Sequence, residues 1–244
     1  MTSTDRRVAL VTGAARNIGR ATALELARLG MDVVVHTRRD AEAAEDVAQQ
    51  VRDLGTKARV LLADLTDADE VRRLAAEVGR VDVLVNNAAS RPHRPFLEVE
   101  LEEWRSVHAI TVEAPYLLCR ALIPGMRERG WGRIVNMTGV RATLGVAERA
   151  TSASAKHAVV GLTRSLANEF GRDGITANVV CPGTVLTERD EADPGRQEAR
   201  QGIGALGRFG RPEDVAGVVG FLATDAGGYV TGQSIGANGG ELMF

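Results

Sequence analysis

Thr12-Gly13-Ala14-Ala15-Arg16-Asn17-Ile18-Gly19 decides how this chain is read. It follows the short valine-rich run at 8–11 and opens a stretch, 18–29, in which Ile18, Ala21, Leu24 and Ala27 share one helical face before Gly30. A strand, a glycine-bearing turn and a helix start make a phosphate-binding arrangement. Backbone N–H groups and the positive end of the helix dipole face a pyrophosphate. Gly13 allows the tight turn, and Gly19 lets the helix pack closely on the strand.

The same rhythm runs outward from this unit. Strands are expected at 31–36, 59–62 and 81–85, and helices at 41–54, stopped by Gly55, and 67–78, capped by Thr66. The second half gives a long helical stretch at 102–129, with Pro115 marking a kink and Pro124 an end. A strand at 134–137, a helix at 152–170 and a strand at 176–180 follow. A helix at 212–223 carries Glu213 and Asp214 in its first turn, and 234–237 is a last strand. Alternating strand and helix imply an α/β fold, a doubly wound parallel Rossmann sheet of about seven strands, in a single domain over 1–244. The polar stretch 187–204 reads as a substrate lid.

Composition narrows the function classes. Of 244 residues, 44% are hydrophobic and 25% charged, with a net charge of −2. That charge offers no attraction for nucleic acid or an anionic membrane. No apolar stretch approaches the roughly 20 residues of a membrane helix. Cys119 and Cys181 sit in apolar runs with no disulfide framework, and residues 1–7 lack the apolar core of a signal peptide. The expectation is a cytoplasmic protein acting on a small molecule, without a metal.

The end of the second strand selects the nucleotide. An acidic residue there holds a ribose 2′-hydroxyl, and arginine suits a 2′-phosphate. This chain has His36-Thr37-Arg38-Arg39, with Arg16 as a second cation in the turn. NADP(H) is therefore expected over NAD(H), unless Arg38 and Arg39 are only solvated surface charges.

These motifs resemble the short-chain dehydrogenase/reductase superfamily, classical subtype, close in layout to 3-oxoacyl reductases. Further matches are Asp64-Leu65-Thr66-Asp67, similar to an adenine-contacting aspartate, and Asn86-Asn87-Ala88-Ala89 for the usual N-N-A-G. Cys181-Pro182-Gly183 with Thr187 resembles the P-G motif and its nicotinamide-contacting threonine. Gly207 to Val215 and Thr231 to Gly240 complete the likeness over nearly the whole chain. It implies a cofactor site of Gly13, Arg16, Asn17, Ile18, Gly19, Arg38, Asp64, Leu65, Asn86, Ala88, Lys156, Pro182, Gly183 and Thr187. It also implies a homodimer or homotetramer, through the helices at 102–129 and 152–170, with a paralogous subunit as a further option. Asn17 replaces a glycine, and Asn tolerates the left-handed backbone that the turn needs.

The catalytic half departs from the family. Its tetrad is Asn, Ser, Tyr and Lys, in which Tyr donates the proton and Lys lowers the Tyr pKa. Here Lys156 is kept, but Ser152 stands at the Tyr position, Gly139 at the Ser position and Thr111 at the Asn position. A serine hydroxyl is a far weaker acid than a phenol of pKa about 10. General acid catalysis is worth about 10²–10⁴-fold, so ordinary ketone reduction should suffer. Thr138, beside Gly139, is a candidate substitute hydroxyl.

Two acceptors escape the missing acid: an iminium, which is already protonated, and a polarised C=C. Glu148 could stabilise a cationic substrate, and His93 and Arg141 are further pocket candidates, each set against a plain surface role. Two other activities stay open at this point. One is a non-redox enzyme, a cyclase, isomerase or lyase. The other is a catalytically inactive nucleotide-binding partner subunit.

Overall fold

A computed structural model describes residues 6–188 and 204–243. The strands are β1 (Val8–Val11), β2 (Asp32–Thr37), β3 (Ala58–Leu62), β4 (Val83–Asn86), β5 (Gly132–Met137), β6 (Ile175–Pro182) and β7 (Ser234–Ala237). The helices are α1 (Asn17–Arg28), α2 (Ala41–Asp53), α3 (Ala68–Val78), α4 (Leu101–His108), α5 (Ala114–Glu128), α6 (Val140–Leu144), α7 (Ala150–Phe170) and α8 (Pro212–Leu222). All strand pairs are parallel, in the order β3-β2-β1-β4-β5-β6-β7. The order reverses at β1, so a crevice opens beyond the carboxyl ends of β1 and β4, where such sheets bind ligands.

Strand residues alternate between two buried layers because successive side chains point to opposite faces. Ala9, Val11, Val33, Val35, Val83 and Val85 pack with residues of α1, α2 and α8, such as Leu26, Val47 and Val219. Leu10, Val34, Leu84 and Ile134 pack on the other side with Leu74, Leu118, Leu122 and Ala167. Each fully buried Leu or Val contributes about 1.5–3 kcal/mol relative to exposure. Two layers of them hold the crevice on a rigid floor.

The expected sheet is confirmed, with local corrections. The cap of α3 is Asp67, not Thr66: the Asp67 carboxylate accepts from the N–H groups of Asp69 and Glu70. Pro124 does not end its helix, since α5 continues to Glu128. Arg120, whose carbonyl loses its partner, is exposed, so water can satisfy it. The helical stretch expected over 102–129, kinked at Pro115, is α4 and α5 joined through a wider π-turn at Ala109–Glu113, and Pro115 sits in the first turn of α5. Helix α7 begins two residues before the expected 152, and β6 runs on to Pro182. Helix α6 was not expected. Most of the proposed lid lies outside the described residues, which resume at Gly204.

Candidate active site

The turn after β1 has the backbone that its sequence demands. Gly13 has φ +63° and Asn17 φ +49°, so asparagine does adopt the left-handed conformation in place of a second glycine. A Cβ on Gly19 would lie 2.1 Å from the Gly13 carbonyl oxygen and 2.7 Å from Asn87 Nδ2. Only glycine permits that approach of helix to turn.

Two residues brace the turn. Thr12 Oγ1 accepts from the N–H groups of Asn87 and Ala88 at 3.0 and 3.1 Å. Asn87 Nδ2 donates to the carbonyls of Thr12 and Gly13 at 2.9 and 3.1 Å. The ends of β1 and β4 are thus bolted together. From the other side the Gly13 N–H donates to His36 Nδ1 at 3.2 Å, and His36 Nε2 faces the Ala63 carbonyl at 3.1 Å. Nδ1 must accept and Nε2–H must donate, which fixes one neutral tautomer. Burial lowers the His36 pKa to about 4, against a smaller opposing effect of the Ala63 carbonyl.

The cations at the adenosine end are ion-paired. Arg16 Nη2 contacts Asp40, and Arg16 Nη1 lies 3.6 Å from Glu188. Arg38 Nη2 is 2.7 Å from Asp64 Oδ2. Burial raises the Asp64 pKa, but the Thr66 N–H and hydroxyl and the Arg38 charge outweigh it and hold the carboxyl below its ordinary value. Arg38 and Arg16 are both about half exposed, so an incoming phosphate can compete for them. Leu65 is buried beside Asp64 and Ala88 is partly exposed. Asn17 Oδ1 accepts from the Glu188 N–H at 3.1 Å, tying the turn to the chain just after Thr187.

At the other end of the crevice, Asn86 Nδ2 donates to Asn136 Oδ1, and Asn136 Nδ2 donates to Thr163 Oγ1, each at 2.8 Å. This buried bridge from β4 through β5 to α7 fixes the helix that carries Lys156. Gly183 follows Pro182 where a Cβ would meet Glu241 Oε2 at 2.7 Å and Asn238 Cα at 2.9 Å.

Lys156 is 6% exposed, and its Nζ donates to the Met137 carbonyl at 2.6 Å. Burial first, and the charge of Arg91 second, lower its pKa to about 7. Ser152 Oγ turns back to donate to the Arg149 carbonyl at 3.2 Å. At Gly139 an added Cβ would find only the Pro182 carbonyl oxygen, at 3.8 Å. Its φ of 169° is extended backbone open to any residue. Thr111 sits in the π-turn with a buried hydroxyl that has no protein partner. Such turns occur often at functional sites. Thr138 is half-buried, its N–H donating to the Val180 carbonyl.

The pocket candidates are distributed unevenly. His93 Nδ1 and Glu148 Oε2 are 2.5 Å apart, both exposed. Glu148 has φ +61°, and its carbonyl accepts the Arg94 N–H at 3.0 Å. The Glu148 carboxylate is thus engaged by His93. Arg141 is exposed on α6. Sequence reasoning missed four residues that the geometry makes prominent: His36, Asn87, Arg91 and Arg149. For two of them a signal existed, since Asn87 lies within a quoted motif and His36 ends an inward-facing valine run.

The nucleotide half therefore fits a pyrophosphate dinucleotide: a left-handed turn, a contact only glycine allows, and arginines beyond β2. Among the described residues no group of His, Cys, Asp and Glu could hold a metal ion, and no helix is long and apolar enough to cross a membrane.

The comparisons agree with this geometry. A family model described as enoyl-(acyl carrier protein) reductase matches residues 13–241. A 3-oxoacyl-[acyl-carrier-protein] reductase of Synechocystis is 39% identical over 252 residues, covering 100% of both chains. A Beutenbergia cavernae protein described as an NAD(P)-dependent gluconate 5-dehydrogenase, solved with NADP at low occupancy, is 39% identical over 96% of each chain, with a TM-score of 0.89. A 3-oxoacyl (acyl-carrier-protein) reductase of Agrobacterium tumefaciens, solved with NADP bound, is 30% identical at a TM-score of 0.90, covering 96% of this chain and 93% of that one. A dinucleotide crevice on this sheet, with a lysine buried on α7, defines an oxidoreductase of the Rossmann class. The chain belongs to the short-chain dehydrogenase/reductase family and resembles its 3-oxoacyl reductases.

Proposed function

We propose that this protein is an NADP(H)-dependent reductase of small molecules bearing an activated C=C bond, acting without the phenolic acid of its relatives. Support for NADP(H) comes from Arg38 and Arg16 beyond the phosphate turn and from the NADP in the two solved neighbours. Gly13, Asn17, Ile18 and Gly19 would hold the pyrophosphate, and Asp64 with Leu65 the adenine. Lys156 and Thr187 would hold the nicotinamide half.

The reading rests above all on Lys156: a buried ammonium one helical turn after Ser152, where the resembled family has its phenol. NADPH, when bound, would supply a hydride, two electrons, to the acceptor carbon. In a conjugated acceptor the displaced π electrons gather on the far oxygen as an enolate. Lys156 stabilises that charge in a low-dielectric site, where electrostatic stabilisation is strongest. The enolate then takes a proton at carbon from water.

The same charges discriminate among acceptors. An iminium is cationic and is repelled by the Lys156 ammonium, while Glu148, the expected counter-charge, is engaged by His93. A ketone becomes an alkoxide, far more basic than an enolate, and would strip the Lys156 ammonium of its proton and of the charge that stabilises the product, since Ser152 and Gly139 offer no other acid.

NADPH oxidation with matched panels of enones, cyclic iminium ions and ketones tests the proposal. Turnover should favour the enones by at least tenfold. Preferred turnover of iminium ions or ketones, or tight NADPH binding with no turnover of any panel, would overturn it.

We propose further that the chain self-associates through α4, α5 and α7. An open cavity of about 860 Å³ on this face is lined by Trp104, His108, Val112 and Tyr116, among others. Sedimentation should show a dimer or tetramer that Tyr116→Glu weakens.

A further inference from the structure

The segment 183–188 leaves the carboxyl end of β6 at the edge of the crevice. Val180 of β6 pairs with Met137 of β5, whose carbonyl holds Lys156 Nζ. The Pro182 carbonyl oxygen lies 3.8 Å from where a Gly139 Cβ would stand. At the far end of the segment the Glu188 N–H donates to Asn17 Oδ1 in the phosphate turn. The segment therefore crosses from the Lys156 side of the crevice to its pyrophosphate side and carries Thr187 between them.

One side chain from the turn after β7 grips the start of this crossing. Glu241 Oε2 accepts the Thr184 N–H at 2.6 Å, and Glu241 Oε1 accepts the Thr184 hydroxyl at 3.2 Å. The Thr184 carbonyl accepts the Gly210 N–H at 3.0 Å, so each polar group of Thr184 is engaged. A Cβ on Gly183 would lie 2.7 Å from Glu241 Oε2, and only glycine lets the two segments meet this closely. The turn that carries Glu241 is fixed from within. The Glu241 N–H donates to the Asn238 carbonyl, Asn238 Oδ1 accepts the Gly240 N–H and Asn238 Nδ2 donates to the Leu242 carbonyl, each at 3.0 Å. A backbone N–H donating to an ionised carboxylate makes a stronger bond than one donating to a neutral acceptor.

We propose that Glu241 is a positioning residue for the cofactor: its carboxylate fixes the backbone of 183–187 in the conformation that receives the nicotinamide half of NADP(H). A segment that is already ordered costs less to bind against, and a ring held in one place presents its hydride at one angle. The assignment rests on the dinucleotide reading of the crevice and not on the choice of acceptor.

Calorimetry tests it without any acceptor, by comparing NADPH with 2′,5′-ADP, which carries the adenosine end and lacks the nicotinamide. Glu241→Ala should weaken NADPH at least about fivefold and leave 2′,5′-ADP within about twofold. The fluorescence of bound nicotinamide should fall in the same variant, because the ring is less confined. Glu241→Gln keeps an oxygen to accept the Thr184 N–H and should recover most of the loss. Should Glu241→Ala not fold, Thr184→Val removes only the hydroxyl contact and should weaken NADPH about twofold at unchanged 2′,5′-ADP affinity. Equal losses for both ligands, which a merely structural role would give, overturn the assignment. So does an unchanged NADPH affinity, or a glutamine variant as impaired as the alanine one. Failure of the unaltered protein to bind NADPH would sink the cofactor reading and the role of Glu241 with it, whereas absence of enone turnover touches the choice of acceptor alone.

Discussion

The Gly13 N–H donates to His36 Nδ1, so the phosphate turn leans on a histidine that must stay neutral. Below its unfolded value of 6.5 the unfolded chain takes up a proton that the native chain refuses until about pH 4. The native form therefore loses stability as pH falls through that window, by about 3 kcal/mol in all, and keeps it in full above 6.5. His36→Ala should flatten this acid dependence in urea titrations between pH 6.5 and 4. It should also weaken NADPH binding, because the turn loses its brace. An unchanged acid dependence would exclude His36 as its source.

Lys156 gives the opposite trade. The native ammonium releases its proton at about 7, whereas the unfolded side chain holds it to 10.5. The native chain therefore binds fewer protons between those values, and stability rises with pH across them. Lys156→Met should remove that rise and stabilise the cofactor-free protein at pH 7, because the apolar side chain carries no desolvation cost. Enone turnover should be lost in the same variant. In the unaltered protein turnover should decline above about pH 7, as the ammonium is deprotonated.

The proposed loss of a phenol and a hydroxyl beside Lys156 is open to reversal. Gly139 has extended backbone and open space where a Cβ would go, so Gly139→Ser should be tolerated within about 1 kcal/mol. Combined with Ser152→Tyr, it restores a phenol and a hydroxyl near Lys156. Ketone reduction should rise by at least about 10²-fold, the low end of what a general acid supplies. A double variant that folds and binds NADPH but reduces no ketone would show that Thr111 or the pocket loops also block the reaction.

On the proposed reading, Arg38 exchanges Asp64 for the nucleotide's 2′-phosphate. A hydrogen bond to a charged group is worth about 1.5–3 kcal/mol, so Arg38→Ala should raise the Kd for NADPH by about ten- to a hundredfold. Binding of NADH, read by nicotinamide fluorescence, should change by less than about threefold on the same reasoning. Equal losses for both nucleotides would deny Arg38 its selective role.

The sheet was legible because its signals are local: valine runs, glycine stops and a turn whose residues each answer a backbone need. Asn17 shows this well, since left-handed tolerance is a property of the residue itself. Ser152 and Gly139 could be placed near Lys156 by their spacing from it alone. The hydrogen bond from Ser152 to Arg149 was not, because a side-chain rotamer depends on neighbours far along the chain. Arg16 and Arg38 were read correctly as cations beside the turn, but their acidic partners, Asp40, Glu188 and Asp64, come together only in the folded state.

The π-turn at Ala109–Glu113 holds one residue more per turn than an α-helix, yet the helices on either side continue in register. Deleting one residue between 109 and 113 would let the segment close into uninterrupted α-helix, with the faces of Trp104 and Tyr116 keeping their relation. What such a deletion removes is the wide turn itself, and with it the place where the Thr111 hydroxyl is buried. The extra residue is therefore a local indulgence for one side chain, and the packing of α4 and α5 does not depend on it.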